Sequence, residues 1–155
     1  MAAELSLSNP VFKLFAYYST IVLVKYLLLL PLTALIRTTR KKYSNPEDAK
    51  AFGNAKSTED VKRMGATDST VERVKRVVQN DIENIYAFMA LAPLYVLTAP
   101  ALNTALWVFR LFTGARVAHT VCYLLSLQPF RGICWIINIS INFYMAYCIY
   151  QSCAK

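Results

Sequence analysis

Beyond Asn84 the chain contains no aspartate or glutamate, and its only lysines and arginines there are Arg110, Arg116, Arg131 and Lys155. A water-facing surface so poor in charge would be hard to keep soluble. Over the whole chain 17% of residues are charged, against about 25% in ordinary globular domains. Apolar residues reach 56%, where about 45–50% is usual. The mean hydropathy is +0.35. A soluble single domain is thereby excluded, and an integral membrane protein is expected. Cysteine is also scarce. Cys122, Cys134, Cys148 and Cys153 lie in the apolar half without CxxC spacing, which speaks against a disulfide framework and for buried reduced thiols. The first ten residues, MAAELSLSNP, hold Glu4 and no cation, and they lack a convincing cleavage site. They read as retained, with the first apolar run acting as a signal anchor.

The charge that is present is concentrated. Residues 37–76 hold eleven lysines and arginines against six acids, within a net charge of +8 for the chain. A basic cluster beside an apolar run is read as a topology signal, as a contact for anionic lipid or as a ligand site, and the first is the default. Nucleic-acid binding is not expected, because no aromatics interleave with these cations.

A membrane-spanning helix needs about 20 mainly apolar residues. Four segments qualify: roughly 10–36, 71–98, 102–127 and 130–153, with a polar stretch at about 37–70. Lys25 and Pro31 interrupt the first, and the proline should kink it. Asn45-Pro46 and Gly53-Asn54 mark turns in the polar stretch. Ala99-Pro100 and Gln128-Pro129 separate the later spans. With 37–70 cytosolic, the uncharged TAPAL link is lumenal and the link carrying Arg131 is cytosolic, so every connection agrees with the positive-inside bias. The whole chain, 1–155, reads as one all-α, multi-pass domain, a four-helix bundle in the membrane.

The second span begins with charge: VERVKRVVQNDIENIYAF, residues 71–88. Arg76, Asn80 and Glu83 are four and three residues apart and share a helical stripe, with Arg73 one turn earlier. On the third span Arg116, His119 and Tyr123 repeat that geometry. Charges within spans normally face a bundle interior or a wet cavity. A polar cavity shared by the two stripes is one arrangement. Others stay open: Arg73, Lys75 and Arg76 could snorkel to the headgroups. Arg116 and His119 could do the same or be structural. Asp81 or Glu83 could pair with Arg76, or with Lys25. Lys25 lies about 18 Å along its helix from Arg37, at a depth comparable to the carboxylates.

Three stretches, ERVKRVVQNDIENI (72–85), NPEDA after a basic cluster (45–49) and GARVAHTVCYL (114–124), resemble the MAPEG family, the membrane-associated proteins of eicosanoid and glutathione metabolism. The likeness covers nearly the full chain in order and spacing and is nearest to the type-one glutathione transferase branch, in insect-like form. It implies a homotrimer of four-helix protomers with glutathione between neighbouring subunits near the cytosolic face. It also implies the site. Arg37, Lys75, Arg76, Asn80, Glu83, His119 and Tyr123 match glutathione-binding positions, with Arg73, Asp48 and Arg116 as further candidates. Arg131 would stabilise the thiolate, and Tyr123 would give sulfur a second hydrogen bond. The co-substrate is glutathione and no metal is implied. The partners are lipophilic electrophiles or lipid hydroperoxides and membrane lipid. The location is the endoplasmic reticulum membrane, or the outer mitochondrial membrane as well. Val78 stands where transferases have a histidine, and Ala49 where some have a cysteine. Gln79 and Gly132 depart from the prostaglandin E synthase pattern, so that isomerase is the alternative enzyme. A non-catalytic lipid-binding scaffold is the alternative outside enzymes.

Overall fold

The structure, a computed structural model, describes residues 4–154. Among them are six helices and no strand: α1 Pro10–Thr39, α2 Pro46–Ala51, α3 Thr58–Gly65, α4 Ser69–Leu97, α5 Leu102–Leu124 and α6 Phe130–Cys153. The four long helices fall where the apolar runs lie. Two of them, α1 and α6, are long and apolar enough to cross a membrane by length and composition. Only 17% of the apolar window of each is buried within the chain, so they are not core helices of a soluble fold. Their outward leucines, isoleucines and aromatics suit lipid, as befits a membrane protein. The charges of the two remaining long helices, α4 and α5, keep them from meeting that criterion among the described residues.

Local chemistry sets the helix ends. Asn9 caps α1, its side-chain oxygen accepting from the Val11 amide at 2.9 Å, and Pro10 occupies the first helical position, where no donor is needed. Lys41 closes the other end in the left-handed region (φ 49°). The Lys42 amide donates to Arg37 and the Lys41 amide to Thr38, the two bonds of a Schellman stop. The same motif ends α5: Ser126 has φ 63°, the Leu127 amide reaches Cys122 at 2.8 Å and the Ser126 amide reaches Tyr123 at 3.2 Å. The helix therefore stops at Leu124, not at the expected Leu127. Pro31 lies inside α1, which continues through it.

The chain forms two compact units, Met1–Lys25 with Asn80–Lys155, and Tyr26–Gln79. The first has an aromatic core. Phe88 stacks on Phe112 with ring centroids 4.0 Å apart, and Phe15, Phe109 and Tyr95 close round them edge-on or tilted. In the second unit, the stretch read as a polar loop contains α2 and α3. Ser57 and Asp60 form a reciprocal capping box on α3. Tyr43, Ala49 and Met64 bury together under Ala55 and Val61. Gly53 is needed there, because a Cβ would come within 2.6 Å of the Ala49 carbonyl oxygen and the Met64 sulfur. The four cysteines are free as expected but not fully buried, Cys153 being exposed.

Candidate active site

In the first unit a hollow of about 290 Å³ opens where α4, α5 and the start of α6 meet. Asn80 comes from α4, His119 and Tyr123 from one face of α5, and Arg131, Gly132 and Trp135 from the first turns of α6. The α5 stop puts this together: by ending the helix just past Tyr123 it lets a short link return the chain as α6, with Arg131 beside that ring. The guanidinium carbon of Arg131 lies 4.4 Å from the Tyr123 ring centroid. Gln128, in the link, accepts from Arg131 Nε at 3.0 Å through its side-chain carbonyl. Among the described residues no carboxylate forms an ion pair with Arg131. Its charge is thus available to whatever fills the hollow. His119, 2% exposed, has its ring 5.7 Å from that of Tyr123.

Behind this wall lies a buried charge cluster. Asp81, next to Asn80 but turned about 100° round the helix, is fully enclosed. Lys25 donates to its Oδ2 at 2.5 Å and to Thr120 Oγ1 at 2.9 Å, while Arg116 pairs with the other carboxylate oxygen. The pairing of Lys25 with a carboxylate of α4 is therefore realised, at Asp81. Arg116 is 0% exposed and shares its Nη1 and Nη2 donors with Asn80 Oδ1, both at 3.3 Å. It holds Asp81 and Asn80 and does not line this hollow. Since the Asn80 carbonyl is engaged, the group this side chain can offer the hollow is its NH2. Two cations and one anion taken out of water are tolerable only because every member is bonded to another.

The second unit brings together a different set. Arg37 and Lys75 line a hollow of about 260 Å³ with Thr33, Val78 and Gln79. Asp48 approaches Arg37 at 4.0 Å and also accepts from Asn45 at 3.2 Å, while Lys75 pairs with Glu72 at 2.8 Å. Arg76 and Glu83 are exposed and Arg73 is half-buried. Of the stripe at 76, 80 and 83, only Asn80 lines the first hollow. Gln128 and Trp135 were not anticipated. Trp135, one turn from Arg131, could have been found from that spacing, whereas Gln128 looked only like half of a helix break. Among the described residues no cluster of His, Cys, Asp and Glu could hold a metal ion.

The model of the MAPEG family matches residues 15–150. The chain belongs to the MAPEG family. Among curated MAPEG-like relatives, "Microsomal glutathione S-transferase 1" of Sus scrofa is 44% identical over 147 residues, covering 94% of this chain and 93% of that protein. Its counterpart in Homo sapiens is 43% identical over the same shares. "Prostaglandin E synthase" of Homo sapiens is 34% identical over 133 residues, 85% of this chain and 83% of that one. This MAPEG chain thus resembles the transferases more, and over more of its length.

Proposed function

We propose that this protein is a membrane glutathione transferase, joining the thiolate of glutathione to lipophilic electrophiles. One observation carries the reading: an arginine without a carboxylate partner, a tyrosine, a histidine and an asparagine whose oxygen is held by Arg116 all line one hollow beside a membrane helix. Such a hollow favours an anionic, acceptor-rich ligand. Glutathione has two carboxylates, an ammonium and a thiol. A free thiol of pKa about 8.5 is only a few per cent ionised at neutral pH. A guanidinium beside the sulfur favours its anion, and each pKa unit corresponds to about 1.4 kcal/mol. Arg131 takes that role and the Tyr123 hydroxyl donates to the same sulfur. The thiol proton leaves to water. The sulfur then uses its electron pair to form the new C–S bond as the leaving group departs with the electrons of the old one.

Arg37 and Lys75, with Arg76, are suited to the carboxylates, as planar or ammonium donors. Glu83 is assigned to the ammonium. All four long helices are read as spans, in a homotrimer whose ligand lies between neighbouring subunits, so that no one hollow need supply every contact. The membrane is that of the endoplasmic reticulum or the outer mitochondrial membrane, and reduction of lipid hydroperoxides is a second activity of the same thiolate. The isomerase alternative is less favoured because the prostaglandin synthase relative is the more distant one. The deciding assay gives purified protein glutathione with either an aryl halide or prostaglandin H. Conjugation should dominate and fall at least tenfold in Arg131→Ala, and isomerisation without conjugation would overturn the reading.

A further inference from the structure

Arg110 lies on α5 eight residues past Leu102, about 12 Å along the helix, and is exposed on an apolar element. Its Nε donates to the Tyr18 hydroxyl at 3.2 Å and its guanidinium sits 5.3 Å from the centre of the Trp107 ring. Both partners are neutral. The first unit's sequence contains only three acids, Glu4, Asp81 and Glu83. Asp81 is engaged by Lys25 and Arg116, and no ion pair among the described residues includes Arg110. A guanidinium on an apolar helix is costly to leave without an anion, and since none of the ion pairs among the described residues includes Arg110, an anion from outside the chain can complete it.

Beside it, α5 and α6 leave a groove of about 430 Å³. Trp107, Val108, Leu111 and Ile141 give it mainly apolar walls, Asn103 and Thr104 are polar toward the first turn of α5, and α6 adds Ser140 and Tyr144. Arg110 is not itself in the groove wall, but its guanidinium sits over the ring of Trp107, which is. A mainly apolar groove with a cation held beside its Trp107 wall matches an amphiphile with an anionic head.

We propose that Arg110, Tyr18 and Trp107 seat the phosphate of a net-anionic phospholipid, one acyl chain of which lies in the α5–α6 groove. A zwitterionic phospholipid carries its own cation beside the phosphate and satisfies Arg110 less well. The site is separate from the hollow at Arg131 and does not depend on the glutathione reading.

The chain has two tryptophans, so Trp135→Phe leaves Trp107 as the sole reporter. The full chain in mixed micelles is titrated with chain-brominated phosphatidylserine or phosphatidylcholine while Trp107 fluorescence is followed. Phosphatidylserine should half-quench at about fivefold lower mole fraction, the preference one surface cation confers. High salt and Arg110→Gln should both remove that preference, whereas Arg110→Lys should keep it. Equal quenching by the two lipids, or a preference that survives in Arg110→Gln, overturns the assignment. Quenching by neither, with oligomers that cross-link through the groove, gives the groove to a second copy of the chain and overturns it too. The comparison of lipids on the parent protein is decisive even where a variant fails to fold.

Discussion

Replacing Asp81 by asparagine removes the one anion from a buried set that also holds Lys25 and Arg116. Side-chain exposure is 0% for Asp81 and Arg116 and 14% for Lys25, so water can reach only the last of these to any extent. Breaking a buried pair by deleting one partner typically costs about 3–5 kcal/mol, and here two cations are stranded. For a chain of this size that corresponds to a fall in Tm of roughly 6–20 °C. Lys25→Met is milder: Asp81 keeps Arg116, the lost hydrogen bond to Asp81 is worth about 1.5–3 kcal/mol, and the bond to Thr120 goes together with the burial cost of the ammonium that made it. The double variant strands one cation instead of two and should be more stable than Asp81→Asn alone, despite carrying an extra substitution. Thermal melts of the four proteins in one detergent give the order. If Asp81→Asn melts no lower than Lys25→Met, or if the second substitution adds its full cost to the first, the cluster is not held by that carboxylate.

Asn80→Asp keeps an oxygen for Arg116 but deletes the NH2 available to the hollow. Glutathione affinity should fall at least tenfold by calorimetry, about 1.4 kcal/mol, with no loss in Tm; unchanged affinity would remove Asn80 from the site. The glycines divide by their surroundings. Gly53→Ala should lower stability by about 1–3 kcal/mol and loosen the Tyr43–Met64 cluster in hydrogen exchange. Gly132→Ala meets nothing within 4 Å in α6 and should leave stability equal or raise it by about 1 kcal/mol at most, read as an equal or slightly higher Tm.

Long elements were legible in the sequence because an apolar run of a span's length, bounded by prolines, has few alternatives. Helices α2 and α3 were not, since six and eight residues are too few to establish a period. Their signs were confined to the helix starts: Asn45-Pro46 followed by two acids for α2, and the Ser57–Asp60 cap for α3. Depth along α1 was enough to suggest that Lys25 meets a carboxylate. Spacing alone grouped Arg76, Asn80 and Glu83, but it could not say which neighbour each faces, and Asp81 proved to be the inward one. In the same way, i, i+3 and i+7 placed Arg116 with His119 and Tyr123. The short side chains of Asn80 and Asp81 then intercept it before it reaches the hollow.

The double grip of Arg116 on Asn80 and Asp81 ties ligand polarity to architecture. A lineage could exchange Trp135 or Gly132 and so reshape what the hollow accommodates. Turning it toward cationic ligands takes more than the loss of Arg131, since the Asn80 oxygen stays held by the same guanidinium that anchors the buried cluster. Selection can therefore broaden the choice of electrophile more readily than it can alter the charge of the nucleophile.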